Sequence, residues 1–83
     1  MSRSVFEIKA ADAAEMISAH MHKGTPFSIK TIDAWMQAEW PVMGDRQRML
    51  VRNAALADLV HAGTIRRVDR HYAPGVQLGY QLA

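Results

Sequence analysis

Between Val76 and Leu82 the chain alternates without a break. Val76, Leu78, Tyr80 and Leu82 are apolar, and Gln77, Gly79 and Gln81 separate them. A repeat of two places one set of side chains on one face of an extended strand, so this segment predicts a half-buried β-strand. Thr64 to Val68 supplies a partner strand, which makes 64–82 a hairpin. Pro74-Gly75 suits the central pair of a type II turn, with Gly75 at positive φ. Ile65 and Val68 have opposite parity, which predicts a bulge or an early end in the first strand.

Upstream of the hairpin, Gly24, Pro26, Pro41, Gly44 and Gly63 divide the chain into three helical segments. Ser4-x-x-Glu7 and Asp12-x-x-Glu15 both resemble capping boxes, so the first helix has two possible starts; the later is preferred, from about Ala11, with Val5 to Lys9 as an extended lead-in. Ala10, Ala14, Ile17 and Met21 share one of its faces, and Gly24 suits a left-handed cap. Thr25 to Ser28 reads as a short extended piece, with Ser28 as N-cap of the second helix. There Ile29, Ile32, Met36 and Trp40 form an amphipathic stripe with Trp35 at its edge, and Pro41 stops the helix. The third helix is expected from Asp45, as N-cap, to Ala62, with Gly63 ending it. Its inward side is read as Met49, Leu56 and Val60 with Leu59 beside them. Gln47, Arg48, Val51, Ala55 and Asp58 are assigned to the opposite side.

At 83 residues the chain is expected to make one domain, 1–83, with a small core. With 49% hydrophobic and 22% charged residues it has the composition of a folded domain and not of a disordered one. It contains no cysteine, which excludes disulfides and thiolate metal sites. No apolar run reaches the roughly 18 residues of a membrane span. The N-terminal segment has no long apolar region after Arg3, so no signal peptide and a cytoplasmic location are expected.

Charge is unevenly spread. The net charge of +2 divides into −1 over residues 1–44 and +3 over 45–83, where every Lys or Arg position is arginine. Arginine offers a flat fork of donors that matches phosphates and guanine edges.

The run from Asn53 to Arg67 resembles winged-helix DNA-binding proteins. In that superfamily a recognition helix ends in two core leucines and a glycine, followed by a strand that opens with an apolar and then a basic residue. Here those are Leu56, Leu59, Gly63, Ile65 and Arg66. The chain is also similar in size to small phage and plasmid regulators. The resemblance implies an α+β fold: a three-helix helix-turn-helix core with a C-terminal β-hairpin wing. It also implies a regulator that reads double-stranded DNA, expected as a homodimer on two half-sites. In DNA-binding members the exposed face of the third helix is rich in polar side chains. The departure in this chain is that Val51 and Ala55 are expected on that face.

Three groups follow as candidate DNA contacts. Arg46, Gln47, Arg48 and Arg52 lie in the first turns of the third helix, where side chains reach base edges. Arg66, Arg67, Arg70, His71 and Tyr72 lie on the wing, suited to phosphates or a minor groove. Lys30 and Thr31 start the second helix, which crosses the backbone in docked complexes. The same residues also suit a solvated helix start and a hairpin whose arginines protect an edge strand. The alternative function is a winged-helix module, such as a phage-encoded inhibitor or adaptor, that binds a protein.

Trp35, Met36, Trp40, Met43 and Met49 are read first as core and otherwise as an adaptable contact surface. If part of this set is exposed, the first helix and the turn around Met43 would suit a dimer contact. His20 and His22 point about 200° apart on a helix and cannot share an ion there. His61 and His71 lack partners at ligand spacing. No nucleophile triad, carboxylate pair or phosphate-binding loop is present, so no enzyme, metal or cofactor is expected.

Overall fold

The computed structural model of the protein describes residues 5–72 and 75–83, with backbone alone at 5–8, 69–72 and 75–78. Among the described residues the chain forms three helices and a three-stranded antiparallel sheet. The elements run α1 (Val5–His20), β1 (Phe27–Ser28), α2 (Ile29–Glu39), α3 (Asp45–His61), β2 (Ile65–Tyr72) and β3 (Gly75–Leu82). The sheet order is β1-β3-β2. No described helix is long and apolar enough to cross a membrane.

The helix ends follow local chemistry. Ser28 caps α2: its backbone is extended and its Oγ accepts from the Thr31 backbone N–H at 3.1 Å. Pro41 follows α2, and a tight turn returns Met43 N–H to the Trp40 carbonyl. Gly44, not Asp45, is the N-cap of α3; Asp45 is the first helical residue, where its carboxylate still faces the positive end of the helix dipole. At the far end Thr64 N–H reaches the Leu59 carbonyl and Gly63 N–H that of Val60, both at 3.0 Å. This crossed pair needs a left-handed residue, and Gly63 supplies φ +77.

Three expectations about element bounds are corrected. The first helix starts at Val5, so 5–9 is helical and not an extended lead-in. The hairpin has no bulge: partners run one to one from Ile65–Leu82 to Tyr72–Gly75. The opposite parity of Ile65 and Val68 means only that Val68 lies on the other face, beside Gly79. Gly75 opens β3 opposite Tyr72 and is not the centre of a turn; the expected turn residue Pro74 lies outside the described residues.

The short extended piece before α2 is itself a strand, since Phe27 and Ser28 pair with Tyr80 and Gly79. Gly79 is thus flanked on both sides. A Cβ there would sit 3.0 Å from the Phe27 carbonyl oxygen and 3.2 Å from that of Val68. Any side chain here would press on both carbonyls, so glycine suits the point where three backbones meet.

The core gathers Ala13 and Ile17 of α1, Met21 just beyond its end, Ile32 and Met36 of α2, and Met43 of the turn. Val51, Ala55, Leu56 and Leu59 of α3 and Ile65 of β2 complete it. Phe27, Trp35, Trp40, Tyr80 and Leu82 pack around the edge. Of the face expected of α1, Ala10, Ile17 and Met21 are buried and Ala14 is half-buried against the core, with the fully buried Ala13 added.

The face expected of α3 is not. Val51 and Ala55 are fully buried, while Met49 and Val60 are each 43% exposed. Leu56 and Leu59 are buried as expected. The buried arc therefore runs Val51, Ala55, Leu56, Leu59, and the helix is turned from its expected orientation. Val51 and Ala55 are therefore not on the open face, which carries the apolar Met49, Leu50 and Val60 instead.

Candidate nucleic-acid interface

Turning α3 changes which side chains its open side presents. Arg46, Gln47, Met49, Leu50, Asn53, Ala57, Val60 and His61 are exposed there. Asn53, Ala57 and His61 lie four residues apart, on one line of the helix. With Val60 they border a shallow groove whose other wall is Arg67 of β2 and Tyr80 of β3. The outer side of the helix and the hairpin thus form one continuous surface. Asn53, His61 and Tyr80 were not among the expected contacts. They become visible only once Val51 and Ala55 are known to face inward.

Arg48 was expected on the side of α3 away from the core, and both it and Arg52 as DNA contacts in the first turns. Instead both turn onto α2, with side chains only 12% and 15% exposed. Arg48 Nε donates to both carboxylate oxygens of Asp33 at 3.2 and 3.3 Å, and its Nη2 pairs with Asp45 at 2.9 Å. Burial alone would lower the Arg48 guanidinium pKa. Its bonds to Asp45 and Asp33 outweigh that and hold the pKa above its usual value. Arg52 Nη1 donates to Asp33 Oδ1 at 3.1 Å. Its Nε and Nη2 both donate to Asn53 Oδ1, at 3.2 and 3.1 Å. Two arginines on successive turns therefore share one aspartate on the neighbouring helix. Asp33 was not among the expected site residues. An i, i+4 arginine pair flanking a small-residue stripe was the available sign of such a clamp.

The remaining expected residues fall as follows. Lys30 and Thr31 are exposed at the start of α2, and the Thr31 hydroxyl lies 3.0 Å from Ser28 Oγ within the cap. Arg66 and Arg67 are exposed on β2. Arg66 faces Gln81 across the sheet, and its Nε and Nη2 lie 3.2 and 2.6 Å from the Gln81 amide, whose oxygen accepts from both once the amide is turned over. The side chains of Arg70, His71 and Tyr72 lie outside the described residues; their backbone pairs with Gln77, Val76 and Gly75.

Elsewhere, His20 and His22 flank the buried Met21 and approach rings, Trp35 at 5.2 Å and Phe27 at 6.1 Å between centroids. A second groove between α1 and α2 is acidic, bordered by Asp12, Glu15 and Glu39 around Trp40. No group of three metal-ligating side chains gathers among the described residues. Comparison of the chain with known proteins finds no matching family model, no similar curated protein and no similar solved structure.

Proposed function

We propose that the protein is a winged-helix regulator that binds double-stranded DNA, with α3 in a major groove and the β2–β3 hairpin as the wing. Three helices followed by an antiparallel hairpin suit that architecture. The observation that carries the reading is the groove in which Asn53 and His61 of α3 face Arg67 of β2. A duplex lying along α3 would meet the hairpin without a gap. Arg46 and Gln47, at the exposed start of α3, suit base edges. Arg67 on the hairpin and Lys30 at the start of α2 suit phosphates. Arg48 and Arg52 act by holding α3 against α2. Two copies on two half-sites would supply the specificity that one small module lacks.

Selection from random oligonucleotides and binding across salt concentrations test this. A recurring motif should emerge, and affinity should fall steeply as salt rises, because phosphate contacts release counterions. Arg67→Ala should weaken binding to all sequences and reduce the salt slope by about one unit. Arg46→Ala should cost about 1–3 kcal/mol on the selected site and relax one base position.

A second reading is favoured by Met49, Leu50 and Val60, which stand 43–46% exposed on the same side of α3. These apolar side chains suit a protein partner. In that case no motif is enriched, and DNA affinity stays near 10⁻⁴ to 10⁻⁶ M for every sequence, roughly the non-specific range.

A further inference from the structure

We infer that Asn53 selects guanine over adenine, because Arg52 already occupies its carbonyl oxygen. The inference rests on the DNA-binding reading above and names what one position of that site prefers.

Asparagine pairs with adenine by two bonds: its carbonyl accepts from N6 while its amino group donates to N7. At Asn53 the first of these is taken. Nε and Nη2 of Arg52 both donate to Asn53 Oδ1. A guanidinium has donors only, so the oxygen must face Arg52 and the amino group must face away. Two donors also fill both lone pairs of that oxygen.

Arg52 is itself held. Its remaining terminal nitrogen, Nη1, is bonded to Asp33, and Asp33 is bonded in turn to Arg48. The clamp between α2 and α3 therefore sets the chemistry of the exposed residue beside it. Asn53 reaches the groove as a donor alone. Guanine presents two neighbouring acceptors, N7 and O6, to such a group. Adenine presents N7 beside an N6 amino group, which sets donor against donor. Asn53 is the readout residue and Arg52 a positioning residue that acts through it.

Oligonucleotide selection with the full chain, Asn53→Ala and Arg52→Lys tests this. Asn53→Ala, a change on an exposed position, should flatten one base pair of the motif and leave the rest. In the unaltered protein that pair should be G·C, preferred about tenfold over A·T, within the range of a good base contact. Replacing its guanine with an analogue that carries carbon at N7 should weaken the unaltered protein and leave Asn53→Ala unaffected. Lysine at 52 has one nitrogen, so it cannot hold Asp33 and also fill both lone pairs of Asn53. Arg52→Lys should therefore move the preference at that pair to A·T. A stability defect alone would weaken all sites and shift no preference. An A·T pair at the Asn53-dependent position of the unaltered protein, or no position that depends on Asn53, overturns the inference while the DNA reading stands. A selection that enriches no motif removes the DNA reading and this inference together.

Discussion

Along one side of α3, Val51, Ala55 and Leu59 recur every four residues and are buried against the other helices. Along the other, Met49, Leu50 and Val60 are large, apolar and open to solvent. Hydrophobicity alone does not separate the two sides, and neither does size, since Val51 is buried and Val60 is not. The buried side carries Ala55 at its centre, and α1, which packs against α3, contributes the fully buried Ala13 to the same core. Small side chains let two helix backbones approach closely, which brings Ile17, Ile32 and Met36 into one core. Arg48 and Arg52 border the same small-residue arc. Turning it inward is what brings both within reach of Asp33.

The sharpest way to break this contrast is one substitution made on each side. Val51→Asp places a carboxylate in a fully apolar site and should cost about 4 kcal/mol or more. Val60→Asp should cost less than about 1 kcal/mol, most of it from a negative charge near the helix C-terminus. Denaturant midpoints measure both. Comparable losses would mean that α3 packs with Met49 and Val60 inward.

The clamp gives a smaller effect and its own internal control. Asp33 and Asp45 both pair with Arg48, but the Asp45 side chain is 93% exposed against 26% for Asp33. Asp33→Ala should lower the midpoint clearly, though less than Val51→Asp, because it strands two arginines that are largely covered. Asp45→Ala should change it little, since exposed pairs contribute little. Equal shifts would show that Asp33 does not tie α2 to α3.

The smallest effect on stability should come from the open side. Met49→Gln and Leu50→Gln should each shift stability by less than about 0.5 kcal/mol. Both should still alter binding. If they weaken capture of a protein while leaving DNA affinity unchanged, the side belongs to a partner protein. If they alter DNA affinity or base preference, it belongs to the duplex.

Much of the fold was legible because its signals are local. The alternation from Val76 to Leu82, Ser28 before α2, Pro41 after it and Gly63 beyond α3 each act through their own few residues. They mark strand, cap and stop without reference to distant partners. Even here the limits were local ones. Helical φ and ψ extend back to Val5, ahead of the apolar stripe that marks the helix. Val68 mimics a bulge because parity shows which face a residue occupies and not whether that face must be buried.

The candidate site was less legible, for a reason set by helix geometry. Arg46, Gln47, Arg48 and Arg52 share the start of one helix, and their sequence positions alone do not separate exposed side chains from clamped ones. The separation depends on the rotation of α3, and the chain carries two apolar arcs that suit opposite rotations. By itself the sequence determined the order of elements, the cap at Ser28, the stop at Gly63 and the gathering of arginine in the second half. Tertiary structure decided which arc is buried, because the packing of α1 and α2 on α3 encloses Val51, Ala55, Leu56 and Leu59, with Ala55 letting the helices approach, and leaves Met49 and Val60 outside. That one rotation pairs Arg48 and Arg52 with Asp33 and leaves Arg46, Gln47 and Asn53 on the open surface.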